Sequence, residues 1–136
     1  MSQSLQPSPT IEQAQQFTML RRDGVSVLLR HLTAGLPSVL HWGADLGPLS
    51  TDDLNAMVLA GGRQTAPGTL DAAWQLSVLP QEGDGWAGRP GLAVTREGRP
   101  VFPRWTVKEV TADEHEAFIT GSDANNGLEI HSSFAL

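Results

Sequence analysis

Apolar and polar positions in this chain switch in short blocks rather than in long helical stripes. Residues 1–12 are rich in Ser, Gln and Pro and offer little to bury, so they read as a disordered head. Residues 13–136 read as one domain. Phe17 to Arg22 predicts a strand, Asp23-Gly24 a tight hairpin turn, and Val25 to Leu32 the returning arm. Gly35-Leu36-Pro37 is a turn. Ser38 to Trp42 predicts a third strand, broken at Gly43. Ser50, with Asp53 three residues on, marks a helix start, and Leu54, Met57 and Val58 have helical spacing. A two-turn helix is expected over 51–59, ended by Gly61-Gly62.

Trp74 to Leu79 alternates loosely and stops at Pro80, which predicts another strand. Gln81 to Gly91 is a long Gly-rich loop that carries Trp86 and Arg89. Leu92 to Arg96 leads into a Glu97-Gly98 turn, and Trp105 to Thr111 has period two. Glu116 to Thr120 and Leu128 to Leu136 are the last two strands, joined by Asp123 to Gly127. About eight short strands with one short helix predict an all-β, antiparallel, supersandwich-like β-sandwich. Leu136 falls inside a strand pattern, so the sandwich is expected to be incomplete and its last edge to pair with a second copy.

Composition narrows the function. A net charge of −6 argues against nucleic acid and against an anionic membrane surface. The absence of Cys excludes disulfides and thiolate metal sites. No apolar run is long enough to span a membrane, and the head lacks the order of a signal peptide, so the cytoplasm is the default location. No phosphate loop, nucleophile elbow or helical His pair is present. His31, His41, His115 and His131 fall on separate elements, so neither a metal nor a cofactor is implied.

Two stretches carry the candidate chemistry. Val39-Leu40-His41-Trp42-Gly43-Ala44-Asp45-Leu46-Gly47 and Gly85-Trp86-Ala87-Gly88-Arg89-Pro90-Gly91-Leu92 both set a Trp beside a Gly, with a charge close by. An indole face with one donor suits a sugar ring, and Gly lets backbone approach it. Two core tryptophans beside turns would give the same pattern. Asp52/Asp53 and Glu114/Glu116 are acid pairs, but acids at the first turn of a helix already favour its dipole.

These stretches occur in order with Leu76-Ser77-Val78-Leu79-Pro80 and Pro103-Arg104-Trp105-Thr106-Val107. In that order the chain resembles the N-terminal region of microbial α-galactosidases of glycoside hydrolase family 36. The resemblance implies a β-sandwich that precedes a catalytic (β/α)8 barrel, whose two aspartates carry out retaining hydrolysis of terminal α-galactosides. It implies no catalytic residue in these 136 residues. It also implies a homo-oligomer in which, as in some oligomeric members, this domain lends an acidic and a basic residue to a neighbouring subunit's galactoside pocket. Asp53 and Arg63 stand nearest to that placement, with Asp52 or Asp45 as alternative acids; Trp42, Trp86 and Arg89 complete the candidate sugar contacts. A stand-alone carbohydrate-binding module and a ligand-free interaction domain are the competing readings.

Overall fold

The computed structural model describes residues 16–32, 34–62, 67–68 and 76–136. The expected disordered head lies outside the described residues. Eight strands and one α-helix are described: β1 (Phe17–Arg22), β2 (Val25–Arg30), β3 (Ser38–Ala44), α1 (Thr51–Gly61), β4 (Val94–Arg96), β5 (Arg99–Val101), β6 (Thr106–Ala112), β7 (Glu116–Asp123) and β8 (Leu128–Ala135). They form a β1-β2-β3 sheet, a β4-β5 hairpin and a β6-β7-β8 sheet. Every pairing is antiparallel, as the density of turn signals requires.

Local backbone chemistry sets the tight turns. Asp23 and Gly24 have φ of 49° and 78°, and Glu97 and Gly98 have 51° and 76°. Left-handed backbone at both central positions belongs to the two-residue turn whose twist matches that of the strands it joins.

The two larger sheets face each other. Leu20, Val27 and Leu29 of the first pack against Ala117 and Ile119 of β7, with Val107, Phe134 and Leu136 around them. Removing such side chains from water is the main favourable term in the fold, at about 1.5–3 kcal/mol each. Leu36, in the turn before β3, is almost fully buried. It owes that place to Gly121, where a Cβ would stand 3.3 Å from Leu36 Cδ2 and 3.1 Å from Ile130 Cγ2. Main-chain bonds tie the sheets at both ends: Arg21 N–H to Glu114 O at 2.6 Å and Gly35 N–H to Trp105 O at 2.8 Å. His115 Nδ1 donates to Arg21 O, and Arg22 Nη1 to Leu136 O, both at 2.7 Å.

Several boundaries differ from expectation. β2 ends at Arg30 rather than Leu32. β3 does not break at Gly43: that residue pairs with Ser26 and the strand runs to Ala44. The missing Cβ there makes room for the His41 ring, whose Cε1 would lie 3.3 Å from it. The helix has three turns rather than two, because Thr51 to Gly61 continue past residue 59 to Gly62, whose N–H bonds to Leu59 O. Trp74 and Gln75 of the predicted strand lie outside the described residues; Leu76 to Leu79 are irregular. There the Val78 N–H goes to Pro37 O at 2.8 Å instead of to a ladder. β6 keeps its alternation only as far as a register shift between Val107 and Glu109.

Candidate functional site

The Gly-rich loop is built on Gln81, which is almost fully buried. Its main-chain oxygen accepts from Asp84 N–H at 3.1 Å and Trp86 N–H at 3.2 Å. Its side-chain Nε2 donates to Asp84 Oδ2 at 3.3 Å, and its Oε1 accepts from the buried Trp105 indole at 3.2 Å. Gly91 N–H closes the loop onto Pro80 O at 2.7 Å. The sequence marks neither Gln81 nor Trp105 as a candidate site residue. Trp105 carried a signal, an aromatic at the head of an alternating strand; Gln81 carried none.

Trp86 is half-buried in this loop, and its indole N–H donates to Arg89 O at 2.9 Å. Its ring lies against Gly88, where a Cβ would stand 2.7 Å from it. The donor a sugar hydroxyl would accept from is therefore engaged within the loop, and the Arg89 main chain serves to hold it. Trp42 differs. It sits on the edge strand β3 and is 75% exposed.

Asp53 forms the capping box of α1. Ser50 N–H and Ser50 Oγ–H donate to Asp53 Oδ2 at 2.8 and 2.7 Å, and Asp53 N–H returns to Ser50 Oγ at 3.2 Å. The Ser50 hydroxyl first, then its main-chain N–H, hold the Asp53 carboxyl below its usual range. Asp52 is exposed beside it in the same first turn. Asp45 lies 3.1 Å from Arg21 Nε, an ion pair without hydrogen-bond geometry, and accepts from Gly47 N–H at 3.2 Å. Arg63 lies outside the described residues. Helix α1 follows β3 and approaches it without burying a residue of its own, whereas Trp86 and Arg89 belong to the loop held by Gln81.

Asp123 organises the far end of the second sheet. Its carboxylate accepts from Arg104 N–H at 3.1 Å, Asn126 Nδ2–H at 2.6 Å, and the Asn125 and Asn126 N–H groups at 3.0 and 3.3 Å. Donation from the Asn126 side chain leads the effects that hold its pKa down, against desolvation that raises it. The sequence shows the Asp-Ala-Asn-Asn-Gly run as the connection between the last two strands, and the structure adds its anchoring role.

A groove of about 210 Å³ lies between the Gly-rich loop and the β4-β5 hairpin, with Leu92, Val94, Val101 and Phe102 among its lining residues. Glu82 is the one carboxylate among the residues that line it. Glycoside cleavage takes two carboxyls flanking the scissile bond, so this groove is not arranged for it.

A family model, glycosyl hydrolase family 36 N-terminal domain, matches residues 35–135. The chain belongs to that family. Neither a curated protein nor a solved structure matches it. Membership in this glycosyl hydrolase family 36 N-terminal domain makes the chain a non-catalytic region of a glycoside hydrolase. The match runs from the turn before β3 to the end of β8, while the β1-β2 hairpin that completes the first sheet precedes it. Among the described residues, no helix is long and apolar enough to cross a membrane.

Proposed function

We propose that this domain is the non-catalytic N-terminal β-sandwich of an α-galactosidase that hydrolyses terminal α-galactosides. Its role is to support the enzyme's homo-oligomer and the sugar pocket bordering the subunit contact. The order of the two Trp-Gly stretches and of the strands around them supports that enzyme class. The observation that carries the supporting role is Trp42, a large indole left 75% exposed on an edge strand next to α1. Such a face suits a sugar ring or a second subunit. Trp42 is the primary sugar contact in this reading, with Asp53 and Arg63 as the charged pair. Trp86 and Arg89 are secondary, because the indole donor is already engaged.

The same exposed indole favours a second reading, a carbohydrate-binding module that acts by itself. Titration with galactose and with glucose, followed on the indole N–H signals by NMR, tests the sugar reading. Galactose is expected to shift the Trp42 signal where glucose does not. An equal response to both sugars, or to neither, contradicts it. The protein is also expected to leave nitrophenyl α-galactoside intact. Turnover that is lost when one of its own acids is replaced contradicts the non-catalytic role.

A further inference from the structure

We infer that the β4-β5 hairpin and its groove are a docking site for an extended acidic peptide segment with an apolar anchor, added as a third strand on the β4 edge. Three observations converge on it.

The first is charge. Residues 89–108 hold five of the chain's nine basic residues and one of its fifteen acids, a net +4 within a chain of −6. Arg89, Arg96, Arg99 and Arg104 are all exposed. Among the described residues, none of the four makes an ion pair.

The second is the groove face. Val94 stands opposite Val101 and Arg96 opposite Arg99. Residues two apart on a strand share a face. The apolar floor at Val94 and Val101 therefore runs directly to a pair of guanidinium groups. Like charges placed opposite each other destabilise a ladder unless an anion joins them. Arg96 is held in place by donating to Asn126 O at 2.7 Å.

The third is the edge. Arg96 and Arg99 flank a two-residue turn, so they exchange hydrogen bonds, and the next pair, Thr95 and Pro100, directs its main-chain groups outward. Pro100 has no N–H to offer, which blocks the β5 edge. Thr95 is exposed and lines the groove. Only the β4 edge can thus take another strand, and an extended peptide there sets alternate side chains into the groove. Apolar side chains would fill the space beside Leu92 and Phe102. Acidic ones would reach Arg96 and Arg99. The pairing of a main-chain edge with basic ends selects a peptide over a free small anion.

The test titrates the isotope-labelled protein with acetyl-Leu-Thr-Asp-Thr-Asp-amide, whose Leu and two Asp side chains share one face of the strand, by NMR. Amide shifts centred on Val94 to Phe102 are expected, weakening as salt rises. R99Q is expected to lower affinity about three- to five-fold. T95P, and separately N-methylation of the peptide, are each expected to weaken binding about ten-fold. The two remove the two donors of the added-strand pair, the Thr95 N–H to a peptide carbonyl and a peptide N–H to Thr95 O, so a T95P protein that misfolds leaves the methylated peptide to decide. Binding of acetyl-Ser-Thr-Asp-Thr-Asp-amide with equal affinity would overturn the proposal, leaving only a charged surface. So would unchanged affinity for the methylated peptide, tighter binding of a sulfated polysaccharide at the same residues, or no shift at millimolar peptide.

Discussion

Trp42 stands directly opposite Val27 across the β2-β3 ladder, and the two differ about ten-fold in exposure, 75% against 7%. Opposed residues lie on the same face of a sheet. Val27 is part of the core between the sheets, so Trp42 continues that core face to an edge the second sheet leaves uncovered. Val39, opposite Leu29, repeats the relationship at 44% exposure against 0%. A strip that is core by register and surface by exposure is where the proposed subunit contact would form.

Trp105→Phe tests the anchor of the Gly-rich loop. The aromatic ring is kept in smaller form, which leaves a small cavity, and Gln81 Oε1 loses its buried donor. An unsatisfied buried acceptor costs about 1–3 kcal/mol. Chemical denaturation is expected to show a loss of at least that size, with the remaining tryptophan fluorescence shifting before the global transition. A single coincident transition of wild-type midpoint would show that Gln81 does not hold the loop.

Ser50→Ala tests the start of α1. It removes one half of the capping box and leaves the helix otherwise unchanged. A loss of about 1 kcal/mol is expected. Hydrogen exchange should speed up first at the amides of Asp53 and Leu54. Uniform acceleration over the sandwich would mean that α1 and the sheets unfold as one unit.

Acid should destabilise the domain in two stages. Burial holds the His31 imidazole below its ordinary 6.5, so the unfolded chain takes up this proton first. Stability therefore declines as pH falls through about 6.5 and levels once folded His31 also protonates. Asp123 has the opposite charge and a depressed folded pKa, so its contribution is complete above its ordinary 3.8 and is lost as pH falls through the folded value. Melting temperature measured against pH should show both stages. His31→Gln should remove the upper one, and Asp123→Asn should reduce the lower, to which the depressed Asp53 and Asp113 carboxyls also contribute. A flat profile from neutrality to about pH 3 would contradict both assignments.

What could be read from sequence follows how local the cause is. Asp23-Gly24 announced its hairpin because two adjacent residues must both take left-handed backbone. Ser50 and Asp53 announced α1 because the capping box is complete within four residues. β5 was hidden, since Arg99-Pro100-Val101 has no alternation and a proline that argues against a strand. Leu76 to Leu79 alternates like a strand, yet its Val78 N–H is taken by Pro37, some forty residues earlier in the chain. For the site, the sequence pointed to both tryptophans but could not separate them. The difference arises from Arg89 O, which engages one indole, and from the reach of the second sheet, which leaves the other bare.

The claim that the Trp42 strip is a subunit surface has one direct measurement: sedimentation velocity at micromolar concentration on the wild-type protein and on Trp42→Ser. The substitution is at an exposed position, so its effect on folding should stay within about 0.5 kcal/mol. The wild type is expected to sediment as a reversible oligomer and Trp42→Ser as a monomer. A monomeric wild type, or equal association of the two proteins, would contradict the claim.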